Sequence, residues 1–427
     1  MSSADAAFMR RALRLAERGR GKVSPNPLVG AVVVRRGRVV GEGAHLELGG
    51  HHAEVHAFAA AGERAREATL FVTLEPCAHQ GRTPPCIDTV LRSGVRRLVC
   101  AMEDPDERVR GQGLARLREA GLDVEVGLLG AKAERQNAAY LKHRRTGLPL
   151  VILKLAQTLD GRIATVSGES RWITGAASRR HVHRWRSWVD GIAVGAGTVL
   201  ADDPRLTVRH VRGRNPRRLV VDGRLRVSPE ARIFHPGDGA ILVTSRETPK
   251  RKRAAFTAGG TAVWTFSERD GSIDLKKPLV RAAREGMTSL LIEGGPQLAA
   301  SALRQQVVDQ VAGSVPVSLA LGELRDEELG QRLAGIPDGT SYVKIGLAGC
   351  QDNDGWRSRW KGALDQLPWG TGRVAVIYAD FLLARSPRPA EVLEAAQELG
   401  CAAVSSYTGD VVNYSSTAFG GENECSY

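Results

Sequence analysis

A chain of 427 residues is too long for one ordinary domain, and 42% hydrophobic with 25% charged residues is the balance of a protein with buried cores. No apolar run approaches the roughly 20 residues of a membrane span. The start MSSADAAFMRRALRLAERG lacks a signal peptide's apolar stretch, and six scattered cysteines make no disulfide framework. Membrane and secreted classes are therefore excluded, and a cytoplasmic enzyme is expected.

The net charge of +13 divides unevenly: residues 313–427 hold 9 Lys/Arg against 15 Asp/Glu, a net of −6, which leaves +19 on residues 1–312. That sign change marks a boundary. The basic part suits phosphorylated ligands or nucleic acid, although a solvated arginine-rich surface gives the same surplus.

In chain order, the N-terminal stretch reads as an amphipathic helix and residues 29–44 as a hairpin turning at Arg36-Gly37 between valine-rich strands. A helix over about 53–61 ends at Gly62. Strand 69–74, helix 86–93 stopped by Gly94, strand 96–101, helix 112–120 and strand 123–127 follow. A hairpin followed by helix–strand alternation predicts a three-layer α/β sandwich. The polar, helical segment 133–147 leads out of it.

A second α/β pattern places strands at 149–156, 191–195, 217–222, 240–244, 261–265 and 288–293, with helices near 176–187, 278–285 and 297–306. A third places strands at 315–321, 341–347, 373–379 and 401–405 with helical stretches between, as in a parallel sheet or part of a barrel. From Gly409 the chain is polar and Gly/Ser-rich and is expected to be disordered. The expected domains are 1–146, 147–312 and 313–408, with a tail at 409–427.

His52-Ala53-Glu54 precedes Pro76-Cys77, and Cys86 closes the run PCAHQGRTPPC. One imidazole and two thiolates bind zinc and leave its fourth position open, a catalytic arrangement in which a bound water becomes a usable nucleophile. Residues two apart in mid-helix point to different sides. His52 is therefore expected to enter from a loop and Glu54 to sit in a first helical turn, where it can shuttle protons without ligating the metal. Cys77 and Cys86 each follow a proline and are expected to start helices, whose dipoles steady thiolates. An isolated histidine is usually a surface or core residue, and His51, His56 and His79 are read so, with contacts to a ligand left open. Four matched positions in order carry the zinc assignment.

The pattern H-x-E…P-C…C is that of the zinc-dependent nucleobase deaminases, in which attack at an amidine carbon expels ammonia. Here eight residues separate the cysteines rather than two. With SPNPLVGAVVV (24–34), HAEVHA (52–57) and VTLEPCAHQGRTPPC (72–86), the chain closely resembles the bifunctional riboflavin-biosynthesis deaminase/reductases from about Phe8 to about Val311. The resemblance implies a cytidine-deaminase-like domain that deaminates 2,5-diamino-6-(ribosylamino)-4(3H)-pyrimidinone 5′-phosphate. It makes His52, Cys77 and Cys86 the zinc ligands, Glu54 the proton shuttle and Asn26 the residue that orients the pyrimidine.

The resemblance continues through LKLAQTLDGRIATVSGESRWITG (153–175), GTVLADDPRLTVR (197–209) and LLIEGGPQLAASAL (290–303). This part is similar to the family's reductase, of dihydrofolate-reductase-like fold, which uses NADPH to reduce the ribosyl group to ribityl. Gly294-Gly295-Pro296 leaves a strand and opens a helix whose free N–H groups suit a cofactor phosphate. By itself such a turn is common without function. Trp172 offers a flat apolar face, and Arg186 and Arg209 suit a substrate phosphate. Carried over by the resemblance, the NADPH contacts are Ala156, Trp172, Thr198 and Asp202, with Gly295, Pro296, Gln297, Leu298, Ala299, Ala300 and Ser301. The substrate contacts are Ser170, Arg186, Leu206, Arg209 and Glu293. Gly223 stands where the family often has a small hydroxyl residue.

After Val311 the family's further strands and glycine-rich stretch are missing, so the reductase is expected to be incomplete. VPVSLALGEL (315–324), SYVKIGLAG (341–349) and VAVIYADF (374–381) instead resemble the middle of the (5-formylfuran-3-yl)methyl phosphate synthases, which are TIM barrels. Lys344 and Asp380 match positions of that family's active site, but its first strands are absent, and the segment reads as a fragment without catalysis of its own. Two other readings stand beside the main one. A zinc deaminase acting on a base in RNA would suit the basic surplus, but no aromatic stacking surface supports it. A non-catalytic zinc-binding assembly protein would have no need of Glu54. The expected partner is a phosphorylated pyrimidine, with neither nucleic acid nor membrane, and a homo-oligomer is left open.

Overall fold

The computed structural model describes residues 2–78, 84–106, 109–156, 163, 176–235, 239–269, 271–316, 343–348, 375–379, 403–405 and 411–412. The chain divides into two compact units. One is Met1–Leu150 with Trp188–Asp190 and Leu279–Ser289; the other is Val151–Ser187, Gly191–Pro278 and Leu290–Tyr427. Among the described residues no helix is long and apolar enough to cross a membrane.

Helix α1 (Ser3–Ala16) opens with a capping box, in which the Asp5 N–H donates to Ser2 Oγ at 3.1 Å and the Ser2 N–H to the Asp5 carboxylate at 2.9 Å. The expected hairpin follows as β1 (Gly30–Arg35) and β2 (Arg38–Ala44), antiparallel, with positive φ at Arg36 and Gly37 in the turn. Then come α2 (Ala53–Ala61), β3 (Thr69–Val72), α3 (Cys86–Arg92), β4 (Arg97–Cys100), α4 (Gln112–Glu119) and β5 (Asp123–Val126). The sheet order is β2-β1-β3-β4-β5.

Alternation along β1 explains the layers. Ala31 and Val33 join a buried cluster with Ala57 and Phe58 of α2, Ile87 of α3 and Leu114 of α4. Val32 and Val34 join a second cluster with Met9 and Leu13 of α1. This is the expected three-layer sandwich. Glycine lets the helices lie directly on the strands: a Cβ on Gly30 would stand 2.0 Å from the Ala12 carbonyl oxygen, and one on Gly43 would stand 2.1 Å from that of Ala53.

Two differences from expectation have local causes. Strand β3 stops at Val72 because the Thr73 hydroxyl, rather than a ladder group, takes the Gly30 N–H, at 3.1 Å. The segment read as one helix is two, α5 (Gly130–Gln136) and α6 (Ala138–Thr146), broken at Asn137. The Asn137 side chain is spent on the Leu28 backbone, accepting from its N–H at 2.8 Å and donating to its carbonyl at 3.0 Å.

The second α/β pattern comprises β6 (Leu150–Ala156), α7 (Ala176–Trp188), β7 (Gly191–Gly195), α8 (Ala196–Asp202), β8 (Arg217–Val221), β9 (Ala240–Ser245), α9 (Lys250–Ala258) and β10 (Ala262–Phe266). It continues through the short pair β11 (Glu268–Arg269) and β12 (Ser272–Ile273), then α10 (Lys276–Arg284), β13 (Ser289–Glu293), α11 (Pro296–Arg304) and β14 (Gln310–Pro316). Helices α8 and α9 carry little periodic signal: the first is a short run, and the second buries only Phe256.

Strand β14 starts at 310, five residues before the expected 315–321, because Asp309 fixes its register on β6; residues 317–321 lie outside the described residues. The Val151 N–H donates to the Asp309 carboxylate at 2.7 Å, and the Asp309 N–H to the Val151 carbonyl at 3.0 Å. Beyond β14 the sheet continues through β15 (Val343–Ala348), β16 (Ala375–Ala379) and β17 (Ala403–Ser405), each parallel to its predecessor, and ends on the antiparallel β18 (Val411–Val412). The full order is β10-β9-β8-β7-β13-β6-β14-β15-β16-β17-β18. The edge that an incomplete reductase sheet would leave bare is thus paired, and β18 lies within the stretch expected to be disordered. The helices expected between these last strands, and the active-site match at Asp380, lie outside the described residues.

Candidate functional site

His52 is the N-cap of α2, in extended backbone (φ −73°, ψ 164°), and Glu54 lies in the first turn. This is the loop-then-turn placement expected of the pair. Cys86 opens α3 behind Pro85. Cys77 does not start a helix: it lies in irregular backbone after β3. Its carbonyl there accepts from the Ile87 N–H and its sulfur from the Cys86 N–H, both at 3.3 Å. These bonds hold Cys77 against the opening turn of α3 without helical geometry of its own.

His52 Nδ1 lies 3.0 Å from Cys86 Sγ and 3.6 Å from Cys77 Sγ, and the three donor atoms fall within 4.8 Å of one another. A mixed nitrogen and sulfur set of this size fits zinc with one position open. The two thiols shift in opposite directions. The hydrogen bond from Cys86, followed by the neighbouring His52, holds the Cys77 thiol down to about 4, and the bond to Cys77 pushes Cys86 up. A bound dication takes both sulfurs as thiolates.

Glu54 is buried and its Oε2 finds no hydrogen-bond partner among the described residues. Burial pushes its carboxyl up to about 7, against the opposing pull of His52. Glu54, His52 and Cys77 line a cavity of about 320 Å³ together with Asn26, His45 and Tyr140. Asn26 Nδ2 donates to His45 Nε2 and His45 Nδ1 to the His51 carbonyl, each at 3.1 Å, which leaves the Asn26 Oδ1 as its free acceptor in this chain of bonds. Burial keeps His45 below the usual histidine range, in the neutral form this pattern needs. His45 escapes sequence reasoning because a single histidine at a strand end carries no pattern. The His51 and His56 rings pack edge to face at 5.8 Å, and His79 lies outside the described residues.

In the second unit Glu293 ends β13, and Gly294 and Gly295 turn with φ of +71° and +80° into Pro296, the first residue of α11. Positive φ at both positions explains the glycines. A Cβ on Gly295 would stand 2.7 Å from Thr198 Oγ1 of α8, so this turn and Thr198 are brought together. Gln297 to Ser301 lie in α11, Asp202 ends α8 and Ala156 ends β6. Arg186 spends its guanidinium on Glu293, with a third bond from Nη1 to the Thr207 carbonyl at 3.2 Å. Arg209 is fixed through its backbone N–H, which donates to His183 Nδ1 at 3.0 Å. Leu206 is buried with φ of +52°. Lys154, which the sequence reading did not single out, is half-buried where the charges of Glu293 and Arg186 act on it, and desolvation lowers its ammonium pKa. Trp172 and Ser170 lie outside the described residues.

Three family models match the chain: the cytidine and deoxycytidylate deaminase zinc-binding region over residues 2–102, the RibD C-terminal domain over 149–329 and 4-HFC-P synthase over 296–413. The riboflavin biosynthesis protein RibD of Escherichia coli is 43% identical over 324 residues, covering 72% of this chain and 86% of the relative. That of Bacillus amyloliquefaciens is 42% identical over 327 residues, covering 74% and 88%. Among solved structures, a diaminohydroxyphosphoribosylaminopyrimidine deaminase/5-amino-6-(5-phosphoribosylamino)uracil reductase from Thermotoga maritima matches with a TM-score of 0.65 at 36% identity, covering 73% of this chain and 86% of that one. Acinetobacter baumannii RibD matches with the same TM-score of 0.65 at 37% identity, covering 72% and 85%.

Proposed function

This chain belongs to the bifunctional deaminase/reductase family of riboflavin biosynthesis, and from that premise we propose how its own residues divide the work. The first domain is a zinc-dependent deaminase whose substrate is 2,5-diamino-6-(ribosylamino)-4(3H)-pyrimidinone 5′-phosphate. The second uses NADPH to reduce the ribosyl group of the deaminated product to ribityl. Membership in this family favours neither an RNA base as substrate nor a non-catalytic assembly role.

His52, Cys77 and Cys86 hold the zinc, which when bound acidifies a water to a nucleophile usable at neutral pH. Glu54 takes up a proton at Oε2 and returns it to the amino group that leaves as ammonia. Burial suits that exchange, because it draws the carboxyl toward the pH at which protons move in both directions. Asn26, its amide fixed by His45, offers Oδ1 to a donor on the pyrimidine edge.

In the reductase domain NADPH supplies the hydride. The turn at Gly294-Gly295 and the start of α11 present backbone N–H groups to a cofactor phosphate, with Thr198 beside them. Arg186 is an anchor for Glu293, whose carboxylate is the polar contact to the sugar, and Arg209 is left as the cation for the substrate phosphate.

The observation that carries the deaminase reading is one buried carboxylate oxygen, without a hydrogen-bond partner among the described residues, that shares its cavity with two members, His52 and Cys77, of a His/Cys/Cys donor cluster. Glu54→Gln should keep its zinc and lose ammonia release by about 10²-fold or more. Turnover near that of the unaltered chain would make Glu54 structural.

A further inference from the structure

Glu75 stands between β3 and Cys77 and is almost wholly buried. Its carboxylate is taken up by backbone donors. Oε2 accepts from the N–H groups of Asp104 and Gly111, at 3.1 and 3.0 Å. Oε1 accepts from those of Gly113 and Leu114, at 3.0 and 3.4 Å. The Glu75 N–H in turn donates to the Met102 carbonyl at 3.0 Å. A carboxylate at the opening turn of α4 is well placed against the helix dipole, but three of its four donors lie in or beside that turn and the fourth does not. The Asp104 N–H ties a separate turn to the same group.

That turn is part of the cavity wall. Asp104, Asp106 and Val109 line the cavity that holds His52, Glu54 and Cys77. Asp104 is held at both ends: its N–H by Glu75, and its carboxylate by the Tyr140 hydroxyl at 2.8 and 3.0 Å. It passes the constraint on, since the Asp106 N–H donates to Asp104 Oδ1 at 2.9 Å. A second contact closes the same joint. A Cβ on Gly113 would stand 2.4 Å from the Pro76 carbonyl oxygen, so the first turn of α4 lies directly on the peptide that precedes Cys77.

We infer that Glu75 is a positioning residue of the deaminase, fixing the 104–106 wall of the cavity against the loop that carries Cys77 so that the substrate meets a preformed binding surface. It touches neither metal nor reacting atoms. The inference rests on reading the cavity as the deaminase site. Its signature is the loss of substrate binding with the metal centre intact: a wall that loses its anchor weakens ground state and transition state alike, which raises KM and spares kcat.

The test compares Glu75→Gln, Glu75→Asp, Gly113→Ala and Glu54→Gln in the full chain. Each is assayed for zinc content, thermal unfolding and deamination of the diaminopyrimidine ribosyl phosphate. Glu75→Gln replaces one acceptor by an amide facing two N–H groups and should raise KM about 10-fold, with kcat changed by less than about threefold and zinc unchanged. Glu75→Asp keeps two acceptor oxygens on a shorter stem and should restore part of the loss. Gly113→Ala, which leaves the carboxylate in place but lifts α4 off Pro76, should show the same rise in KM, and it decides the matter where Glu75→Gln does not fold. Unchanged KM in Glu75→Gln and Gly113→Ala, or zinc lost in step with activity, overturns the inference. If Glu54→Gln turns over normally, the deaminase reading of the cavity falls instead. If Glu54→Gln is inactive while KM holds in the others, only the role of Glu75 falls.

Discussion

Arg186 and Glu293 meet fork to fork, Nε donating to Oε1 and Nη2 to Oε2, both at 2.7 Å, with the two side chains only 11% and 9% exposed. The pair joins α7 to the last residue of β13, immediately before the glycine turn. Removing the guanidinium leaves a buried carboxylate without its paired hydrogen bonds. Arg186→Ala should destabilise the second unit by about 3–5 kcal/mol in denaturant unfolding. Arg186→Lys, which cannot make the paired bonds, should fall between the two. Equal midpoints for all three proteins would mean that Glu293 finds other partners when Arg186 is gone.

The zinc assignment makes a prediction independent of turnover. A site with three protein ligands cannot lose one and keep comparable affinity. Cys77→Ala and Cys86→Ala should each carry much less than the one zinc per chain expected of the unaltered protein. Metal analysis that finds the same zinc in both variants removes the ligand set.

The pairing of Asp5 with Arg97 predicts how the first unit responds to acid. Arg97 donates to both Asp5 oxygens, at 3.1 and 3.0 Å, and chiefly through these bonds holds the carboxyl down to about 2 from its ordinary 3.8. The folded value lies below the unfolded one, so the unfolded chain takes up the proton first. The contribution to stability is therefore complete above about pH 4 and lost as the pH falls through about 2. Denaturant unfolding should show Asp5→Asn less stable than the unaltered chain at pH 6, with the gap closing in that acid window. A gap that stays constant as pH falls contradicts the pairing.

Gly43 underlies the first turn of α2, and a Cβ there would meet Ala53 O at 2.1 Å and Ala57 N at 2.5 Å. Gly43→Ala should cost about 1–3 kcal/mol by overpacking, and should lower deaminase activity because Glu54 sits in the turn that is pushed away. Gly37→Ala is the control: its φ of +73° is strained for alanine, but nothing lies within 4 Å. It should cost about 1 kcal/mol and leave turnover unchanged. Unaltered activity in Gly43→Ala would show that α2 can shift without moving Glu54 from its working position.

Strand β15 covers the edge of β14 over six residue pairs, from Val311↔Val343 to Pro316↔Ala348. A chain ended at Pro316 would expose the N–H and C=O groups of that edge. It should aggregate more readily and reduce its substrate more slowly, while deamination in the same preparation is unchanged. If such a chain is no worse as a reductase than the full chain, the later strands contribute nothing to that activity; if a chain given a family-type C-terminal end in place of 313–427 is no better than the full chain, those strands are a working replacement.

The sequence by itself determines what is local. Valines alternating about Arg36-Gly37 specify β1 and β2, a helical run bounded by Gly62 specifies α2, and the offset from His52 to Glu54 specifies cap and first turn, because backbone preference and side-chain period act over a few residues. The zinc triad is legible too, since its spacing is a pattern even though the ligands meet across 25 and 34 residues of chain. What only the tertiary structure decides is carried by groups that meet backbone atoms far away. Asn137 breaks a helix by bonding Leu28, Asp309 sets the register of β14 on Val151, Arg186 pairs with Glu293 107 residues away, and Glu75 gathers N–H groups 29 to 39 residues away. Every residue but proline offers the same N–H and every residue the same C=O, so a side chain bound to distant backbone leaves no matching letter in the sequence for its partner.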